Sequence, residues 1–92
     1  MTVSEVRDNP EQNRFELEES GETAFANYRL DGNHMTIPYV ESPVALSGKG
    51  TAGRLMEGVV QQAKVRGLKI TPICGYAVHW FKRHPEHNSV LA

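Results

Sequence analysis

Hydrophobic and polar side chains alternate along the first half of the chain, with the period of two that is typical of half-buried strands. Turn-forming residues interrupt this alternation at Ser20–Glu22 and at Asp31–Gly32, where Asp-Gly favours a type I′ turn. The pattern therefore predicts three antiparallel strands joined by tight turns. The first strand begins at Arg14, the second spans residues 23–30, and the third spans residues 35–39.

The second half of the chain changes to a helical period. From Thr51 to Arg66, apolar residues recur three and four positions apart with charged side chains between them, as in a helix that covers a sheet. Gly67 suits the position after that helix. A buried strand is predicted over residues 68–73 and a short helix over residues 75–82. The helix should end before His84, because the residue before a proline avoids helical angles.

The order of these elements predicts an α+β fold. A strand that follows a helical crossover lies parallel to the strand before the helix, so the sheet should be mixed and mainly antiparallel. Pro38 cannot donate to a ladder and indicates an edge, a bulge or a splay in the third strand. We expect residues 1–12 to form a flexible lead-in and residues 13–92 to form a single domain.

Composition narrows the class of protein. The 92 residues are 39% hydrophobic and 23% charged, which is ordinary for one globular domain and excludes a wholly disordered chain. No apolar run is long enough to span a bilayer, and the acidic, polar first residues do not resemble a signal peptide. Cys74 is the one cysteine, so no internal disulfide is possible and a cytoplasmic location is expected.

Charge is distributed unevenly although the net charge is only −1. Residues 1–41 carry nine acidic and three basic side chains, whereas residues 42–92 carry two acidic and seven basic ones. A basic half favours an anionic ligand. A nucleic-acid-binding domain is one alternative, but the sequence pI of about 6.4 and the lack of a recognisable motif argue against it. We therefore expect no nucleic-acid partner.

A glycine-containing loop precedes the long predicted helix. The first turn of a helix carries unpaired N–H groups and a partial positive charge, and glycine lets a phosphate approach the backbone closely. The loop lacks the spacing of a P-loop or of a dinucleotide-binding fingerprint. It predicts an anion site, with a tight turn that holds no ligand as the alternative. The candidate residues are Ser47, Gly48, Lys49, Gly50, Thr51, Ala52 and Gly53.

Two short motifs lie in the second half of the chain. Ser47, Gly50 and Ala52 occupy the positions of a phosphate loop of the form [RQ]-x-x-G-x-[GA], with serine where Arg or Gln is usual. Downstream, a strand ends in P-x-C-x-[YF] at residues 72–76, and a helix closes with R-H-P-E at residues 83–86. Through these motifs, residues 14–87 resemble the small, single-domain GNAT-type N-acetyltransferases.

This resemblance implies a minimal GNAT-like fold that binds acetyl-CoA as co-substrate and transfers its acetyl group to an amine. It assigns the loop from Ser47 to Gly53, together with Tyr76, to acetyl-CoA binding. The chain lacks the additional helices that build acceptor pockets in larger relatives, so we expect the acceptor site to be open, formed by a partner, or absent. The amine or protein acceptor is unknown. A CoA-binding or interaction module without significant turnover is therefore the alternative.

Cys74 stands at the end of a predicted strand and just before a predicted helix. A helix N-terminus stabilises a thiolate, and ligands gather at this edge of such sheets. Two catalytic routes are open: Cys74 accepts the acetyl group as a thioester and passes it on, or an amine attacks acetyl-CoA directly beside it. A buried apolar cysteine without a chemical role is the third interpretation.

Tyr39 and Glu41 follow each other on the third predicted strand. In the family that the chain resembles, this strand often carries a histidine two residues before an acidic residue, so Tyr39 stands in the histidine position. With an ordinary pKa near ~10, a tyrosine is a poor base at neutral pH. We expect Tyr39 to act as an acid or a hydrogen-bond donor, and Glu41 to act through a water or to be a solvated carboxylate.

Cysteine and histidine side chains are frequent near the end of the chain. Cys74, His79, His84 and His87 fit no zinc signature, and two of these histidines flank a proline that ends a helix. We therefore expect no metal site.

Overall fold

The structure of the protein, a computed structural model, describes residues 5–92, which form a five-stranded sheet with both helices on one face. The strands are β1 (Arg7–Asn9), β2 (Arg14–Glu19), β3 (Glu22–Asp31), β4 (His34–Glu41) and β5 (Lys69–Pro72). The helices are α1 (Thr51–Arg66) and α2 (Gly75–Arg83), and short 3-10 helices occupy Val44–Leu46 and Pro85–Val90.

The sheet follows the chain, with strand order β1-β2-β3-β4-β5. The first four strands pair antiparallel, and β5 pairs parallel to β4 after the α1 crossover. Gly67 has a φ of 69°, and its N–H bonds to the carbonyls of Ala63 and Lys64, as expected for a residue that ends a helix. The predicted α+β fold with a mixed, mainly antiparallel sheet is confirmed.

Strand β1 lies within the stretch for which a flexible lead-in was expected. Its residues pair with β2, and the preceding Val6 is only 5% exposed. Asp8 accepts hydrogen bonds from Tyr28 at 2.6 Å and from Arg66 at 3.0 Å, which ties β1 to β3 and to the end of α1. The local sequence gave no sign of this strand because partners distant in sequence hold it. Residues 1–4 of the expected lead-in lie outside the described residues.

The turn between β3 and β4 lies one residue later than predicted. Asp31 pairs with His34, so the loop consists of Gly32 and Asn33, and only Gly32, with a φ of 62°, adopts a positive φ. A type I′ turn needs positive φ at both positions, so the predicted type I′ turn at Asp31–Gly32 is wrong. Ser20 and Gly21, with φ of 53° and 77°, meet that requirement in the preceding hairpin.

The hydrophobic core lies between one sheet face and the two helices. Small side chains at Ala24 and Ala26 on β3 are fully buried and let α1 approach the sheet. Trp80 on α2 joins this core with 5% exposure and stacks on His84, with ring centroids 4.1 Å apart. Trp80 also stacks on His87, with ring centroids 5.6 Å apart, so the C-terminal 3-10 helix packs against α2. Within residues 5–92, neither helix has the length and apolar character needed to cross a membrane.

Candidate functional site

Strands β4 and β5 separate beside Pro38. Ile37 and Pro38 together face the single residue Tyr28, because the register between β3 and β4 shifts there, which is a β-bulge. Pairing between β4 and β5 ends at Ile37 and Pro72, while β4 continues to Glu41. Of the predicted alternatives at Pro38, the structure shows both a bulge and a splay. We call the resulting opening between the ends of the two strands the β4–β5 gap.

The N-terminus of α1 opens beside this gap. Gly50 precedes the helix with a φ of 75°, and Gly48 has a φ of 77°. Among residues 5–92, no side chain caps the helix. Both positive φ values are easily adopted only by glycine. The amides of the first helical turn have no acceptor within the helix, so they carry the partial positive charge that favours an anion.

A cleft of about 410 Å³ lies in front of these amides. Six of the seven predicted loop residues and Tyr76 line it, whereas Lys49 does not. The pattern analysis missed Val40 and the segment from Ser42 to Leu46, because neither carries a polar motif. The lining residues are Val40, Ser42, Pro43, Val44, Leu46, Ser47, Gly48, Gly50, Thr51, Ala52, Gly53 and Tyr76.

The first turn of α1 is held to the sheet by Glu19, which sequence reasoning did not single out. Thr51 donates a hydrogen bond of 2.6 Å to its carboxylate, and Arg54 donates two, of 2.7 and 2.8 Å. The hydrogen bond from Arg54, followed by that from Thr51, lowers the pKa of Glu19 from 4.5 to about 2. Arg54 is therefore engaged with Glu19, and the helix amides rather than this side chain face the cleft.

Glu19→Gln should lower the free energy of unfolding at neutral pH, because glutamine keeps the size of the side chain but loses the charge that binds Arg54. Since folding lowers this pKa, the contribution of the carboxylate is present above pH 4.5 and is lost as the pH falls toward 2. Denaturant unfolding of both proteins over a pH series should show a stability difference that narrows below pH 4.5. A difference independent of pH would contradict this role.

Cys74 immediately precedes α2 and is half-buried. Its N–H, like that of Ile73, bonds to the carbonyl of Ile37, at 3.2 and 2.9 Å respectively. Its side chain packs against the core, as does that of Val40, so it lies on the helix side of the sheet at the β4–β5 gap. It is not among the residues that line the cleft. Cys74 therefore lies beside the β4–β5 gap and outside the lining of the cleft.

Tyr39 and Glu41 lie on the opposite side of the sheet from the helices. The Tyr39 hydroxyl donates a hydrogen bond of 2.5 Å to Glu41, and this bond raises the pKa of Tyr39 above its ordinary value. Tyr39 is therefore protonated at neutral pH and suits a donor role.

A second group of polar side chains joins α1 to the C-terminal 3-10 helix. His87 contacts the Glu57 carboxylate at 3.0 Å. Together with Glu86, these residues form a group of three whose possible metal-ligating atoms lie within 4.8 Å of one another. The His87–Glu57 contact fastens the C-terminal segment to α1. The prediction that the protein holds no metal stays a prediction.

The fold agrees with that of a known protein family. A family model described as GCN5-related N-acetyl-transferase matches residues 14–90. The NMR solution structure of a "GCN5-like putative N-acetyltransferase" from Staphylococcus aureus is similar with a TM-score of 0.69 and 25% identity, over 100% of this chain and 91% of that one. A comparison with curated proteins found no match. Because the family match spans most of the chain, this protein belongs to the GCN5-related N-acetyltransferase family.

Proposed function

We propose that this protein binds acetyl-CoA in the cleft and transfers the acetyl group to a primary amine. The observation that carries the proposal is the uncapped N-terminus of α1, which opens into a cleft of about 410 Å³ that reaches Val40 on β4. A cleft of this volume lies within the range of small-molecule sites. It joins an anion-binding helix end to a separated pair of strands.

The pyrophosphate of acetyl-CoA would bind at the mouth of α1. The amides of residues 50–53 lack acceptors within the helix, and the glycines at 48 and 50 leave no side chain between the backbone and an incoming phosphate. Lys49 is exposed beside them and adds a positive charge. Ser47 lines the cleft and offers a hydroxyl where the family usually carries Arg or Gln.

The pantetheine arm would run along β4 into the β4–β5 gap. Val40 faces the helix side, like Ile37, because it pairs with Ala26. In a strand, residues whose side chains lie on the same face also direct their backbone N–H and C=O groups toward the same neighbouring strand. The Ile37 carbonyl points toward β5, so the N–H and C=O of Val40 point into the gap and can pair with the amide groups of pantetheine. This path directs the thioester toward Cys74.

Positioning and backbone polarity account for the proposed chemistry. Holding a thioester and an amine together can lower the barrier by about 7–11 kcal/mol, and a backbone N–H in the gap can stabilise the developing oxyanion. Tyr39, with its raised pKa, donates rather than accepts a proton. No described residue that lines the cleft is a histidine or a carboxylate, so the acceptor amine must lose its proton to water or to Glu41 through a water.

The lack of a base among these lining residues favours one rival, a CoA-binding module without significant turnover. Calorimetric titration with acetyl-CoA, paired with a transfer assay over a panel of amines, separates the two. We expect saturable binding, stabilisation that follows mass action, and acetylated product. Saturable binding without any product would support the module, and absence of binding would overturn both proposals.

Incubation of the intact protein with acetyl-CoA should add one acetyl group at Cys74, detected by mass spectrometry, if the thioester route operates. Cys74→Ala should carry no adduct and transfer acetyl several-fold more slowly, because direct attack by the amine is still available. Cys74→Ser is the matched control for size. Full activity in Cys74→Ala without an adduct on the native protein would leave direct attack as the mechanism. A free thiol also suits the reducing cytoplasm, where we place this protein.

A further inference from the structure

Trp80 on α2 carries an unpaired hydrogen-bond donor within the core. Its side chain is 5% exposed, and none of residues 5–92 accepts a hydrogen bond from the indole Nε1–H. An indole N–H is a donor only. Buried polar groups in folded proteins are nearly all paired, because a donor that leaves water without an acceptor is destabilising. The unpaired N–H of Trp80 therefore favours an acceptor on a bound ligand.

Ring contacts fix the direction of this donor. The indole stacks on the His84 ring with centroids 4.1 Å apart and on the His87 ring with centroids 5.6 Å apart. It also meets the Phe81 ring edge to face. His84 is itself held, because its Nδ1 lies 2.8 Å from the Trp80 carbonyl oxygen. Turning the indole would break these contacts, so the N–H keeps one direction and is oriented before a ligand arrives.

The indole nitrogen lies against the first turn of α1. A Cβ added to Gly53 would be 3.8 Å from Trp80 Nε1, and Gly53 lines the cleft. Tyr76 precedes Trp80 by one turn on the same face of α2, and it lines the cleft as well. Trp80 is not itself a lining residue, so its N–H lies behind the wall of the cleft, at Gly53.

The indole nitrogen is not sealed inside the core. Among residues 5–92, His87 Nδ1 is the one side-chain nitrogen or oxygen that is fully buried without a partner, so the unpaired Trp80 Nε1 retains accessible surface. Apart from the adjoining residues and the backbone of α1, Nε1 is the only described atom within 4 Å of the position that a Gly53 side chain would take. The glycine therefore leaves room beside the indole nitrogen, at the wall of the cleft.

We propose that Trp80 donates its indole N–H to a phosphate oxygen of acetyl-CoA at the N-terminus of α1, through the space beside Gly53. This assignment rests on the proposed binding of acetyl-CoA, whose pyrophosphate is placed on the amides of residues 50–53. Hydrogen bonds to an anionic oxygen are shorter and stronger than neutral ones, so a fixed N–H adds affinity and orients the pyrophosphate. Trp80 would thereby supply a side-chain contact in a chain that has Ser47 where the family usually carries Arg or Gln.

The carboxylate of Glu57 is the alternative acceptor for this N–H. Glu57 lies one turn after Gly53 on α1, but its Oε1 is 3.0 Å from His87 Nε2, and no hydrogen bond between Glu57 and Trp80 occurs in the described part of the chain. Glu57→Gln should therefore leave the response of the indole N–H to CoA unchanged. Loss of that response in Glu57→Gln would assign the donor to Glu57 and overturn the phosphate contact.

Two variants test the contact through affinity. Trp80→Phe removes the N–H and keeps an aromatic ring, and its affinity for CoA should fall about ten-fold or more, because the lost bond goes to a charged group. Phe15→Leu, which reduces another buried ring of the core, is the matched control and should retain its affinity. Gly53→Ala should weaken binding by filling the space beside the indole nitrogen, but it should add little to the loss in Trp80→Phe. Equal losses for Trp80→Phe and Phe15→Leu, or additive losses for Gly53→Ala and Trp80→Phe, would overturn the proposal.

The indole resonance reports the contact directly. Trp80 is the one tryptophan of the chain, so its N–H gives a single indole signal in a proton–nitrogen correlation spectrum. Titration with CoA should move this signal downfield together with the amide signals of residues 48–53. ADP, which contains the pyrophosphate, should have the same effect at saturation, and pantetheine, which has no phosphate, should not.

The outcomes of this titration separate the contact from the proposed function. Amide shifts at residues 48–53 without an indole shift would overturn the contact and retain the CoA site. An indole shift with pantetheine but not with ADP would overturn the phosphate as the acceptor. A saturable indole shift with CoA and ADP, in a protein that transfers no acetyl group, would support the contact and contradict the proposed transfer. No response of either set of signals would overturn both.

Discussion

Replacing Ala52 with glutamate should weaken acetyl-CoA binding on the order of 100-fold, because one charged hydrogen bond alone contributes about 1.5–3 kcal/mol. Ala52 is the second residue of α1 and lines the cleft, so the new carboxylate would stand where a phosphate is proposed to bind. It would occupy the same amides and repel the ligand. Isothermal titration calorimetry with acetyl-CoA measures the change directly.

The same substitution should not destabilise the fold, which separates this prediction from a general loss of structure. A carboxylate in the first turn of a helix is favourable by about 0.3–1 kcal/mol, so the midpoint of thermal unfolding without ligand should stay the same or rise. Ala52→Gln matches glutamate in size without its charge and should lose much less affinity. Equal affinity losses for the two variants would show that steric blockage, not the anion site, is responsible.

Removing the Trp80 side chain should cost about 3–5 kcal/mol of stability, the range for Trp→Ala in a core. The indole is 5% exposed, meets Phe81 edge to face with centroids 5.2 Å apart, and stacks with both the His84 and the His87 ring. Small domains have a total stability of about 5–15 kcal/mol. At about 4–8 °C per kcal/mol, thermal unfolding should shift down by roughly 12 °C or more.

The cost of Trp80→Ala has a specific structural cause. Trp80 contacts the neighbourhood of Gly53, where an added Cβ would lie 3.8 Å from the indole Nε1, and it thereby joins α2 to the first turn of α1. Val65→Ala is the control, because Val65 on α1 is 86% exposed and should change stability by no more than about 0.5 kcal/mol. Thermal unfolding that shifts equally in the two variants would contradict the role assigned to Trp80.

The sequence predicts most of the fold because strong local signals coincide with the elements. α1 begins at Thr51 and ends at Arg66, as the period of its apolar residues and the glycine at position 67 predict. β1 could not be predicted in this way, since three residues carry no period and are held by Tyr28 and Arg66, which are distant in sequence. The turn at Gly32–Asn33 differs by one residue because the pairing of Asp31 with His34, not local turn preference, decides the register.

The candidate site is predictable where backbone chemistry leaves a mark in the sequence. Glycines at 48 and 50 mark the left-handed loop, and both positions line the cleft. Glu19 and Val40 leave no such mark. Glu19 acts through an ion pair with Arg54, and the role proposed for Val40 uses backbone groups that any residue possesses. The separation of Tyr39 from the cleft also requires the structure, because the bulge at Pro38 shifts the alternation and places Tyr39 on the face of the sheet away from the helices.

Mapping amide chemical shifts during a titration with CoA tests the central proposal most directly. The proposal is that the amides at the N-terminus of α1 bind the pyrophosphate and that the pantetheine arm lies along β4. The largest shifts should fall on residues 48–53, with further shifts at Val40 and Tyr76, and the hairpin at Gly32–Asn33 should not respond. Saturation with shifts elsewhere, or no response at the mouth of α1 at high CoA concentration, would contradict the account.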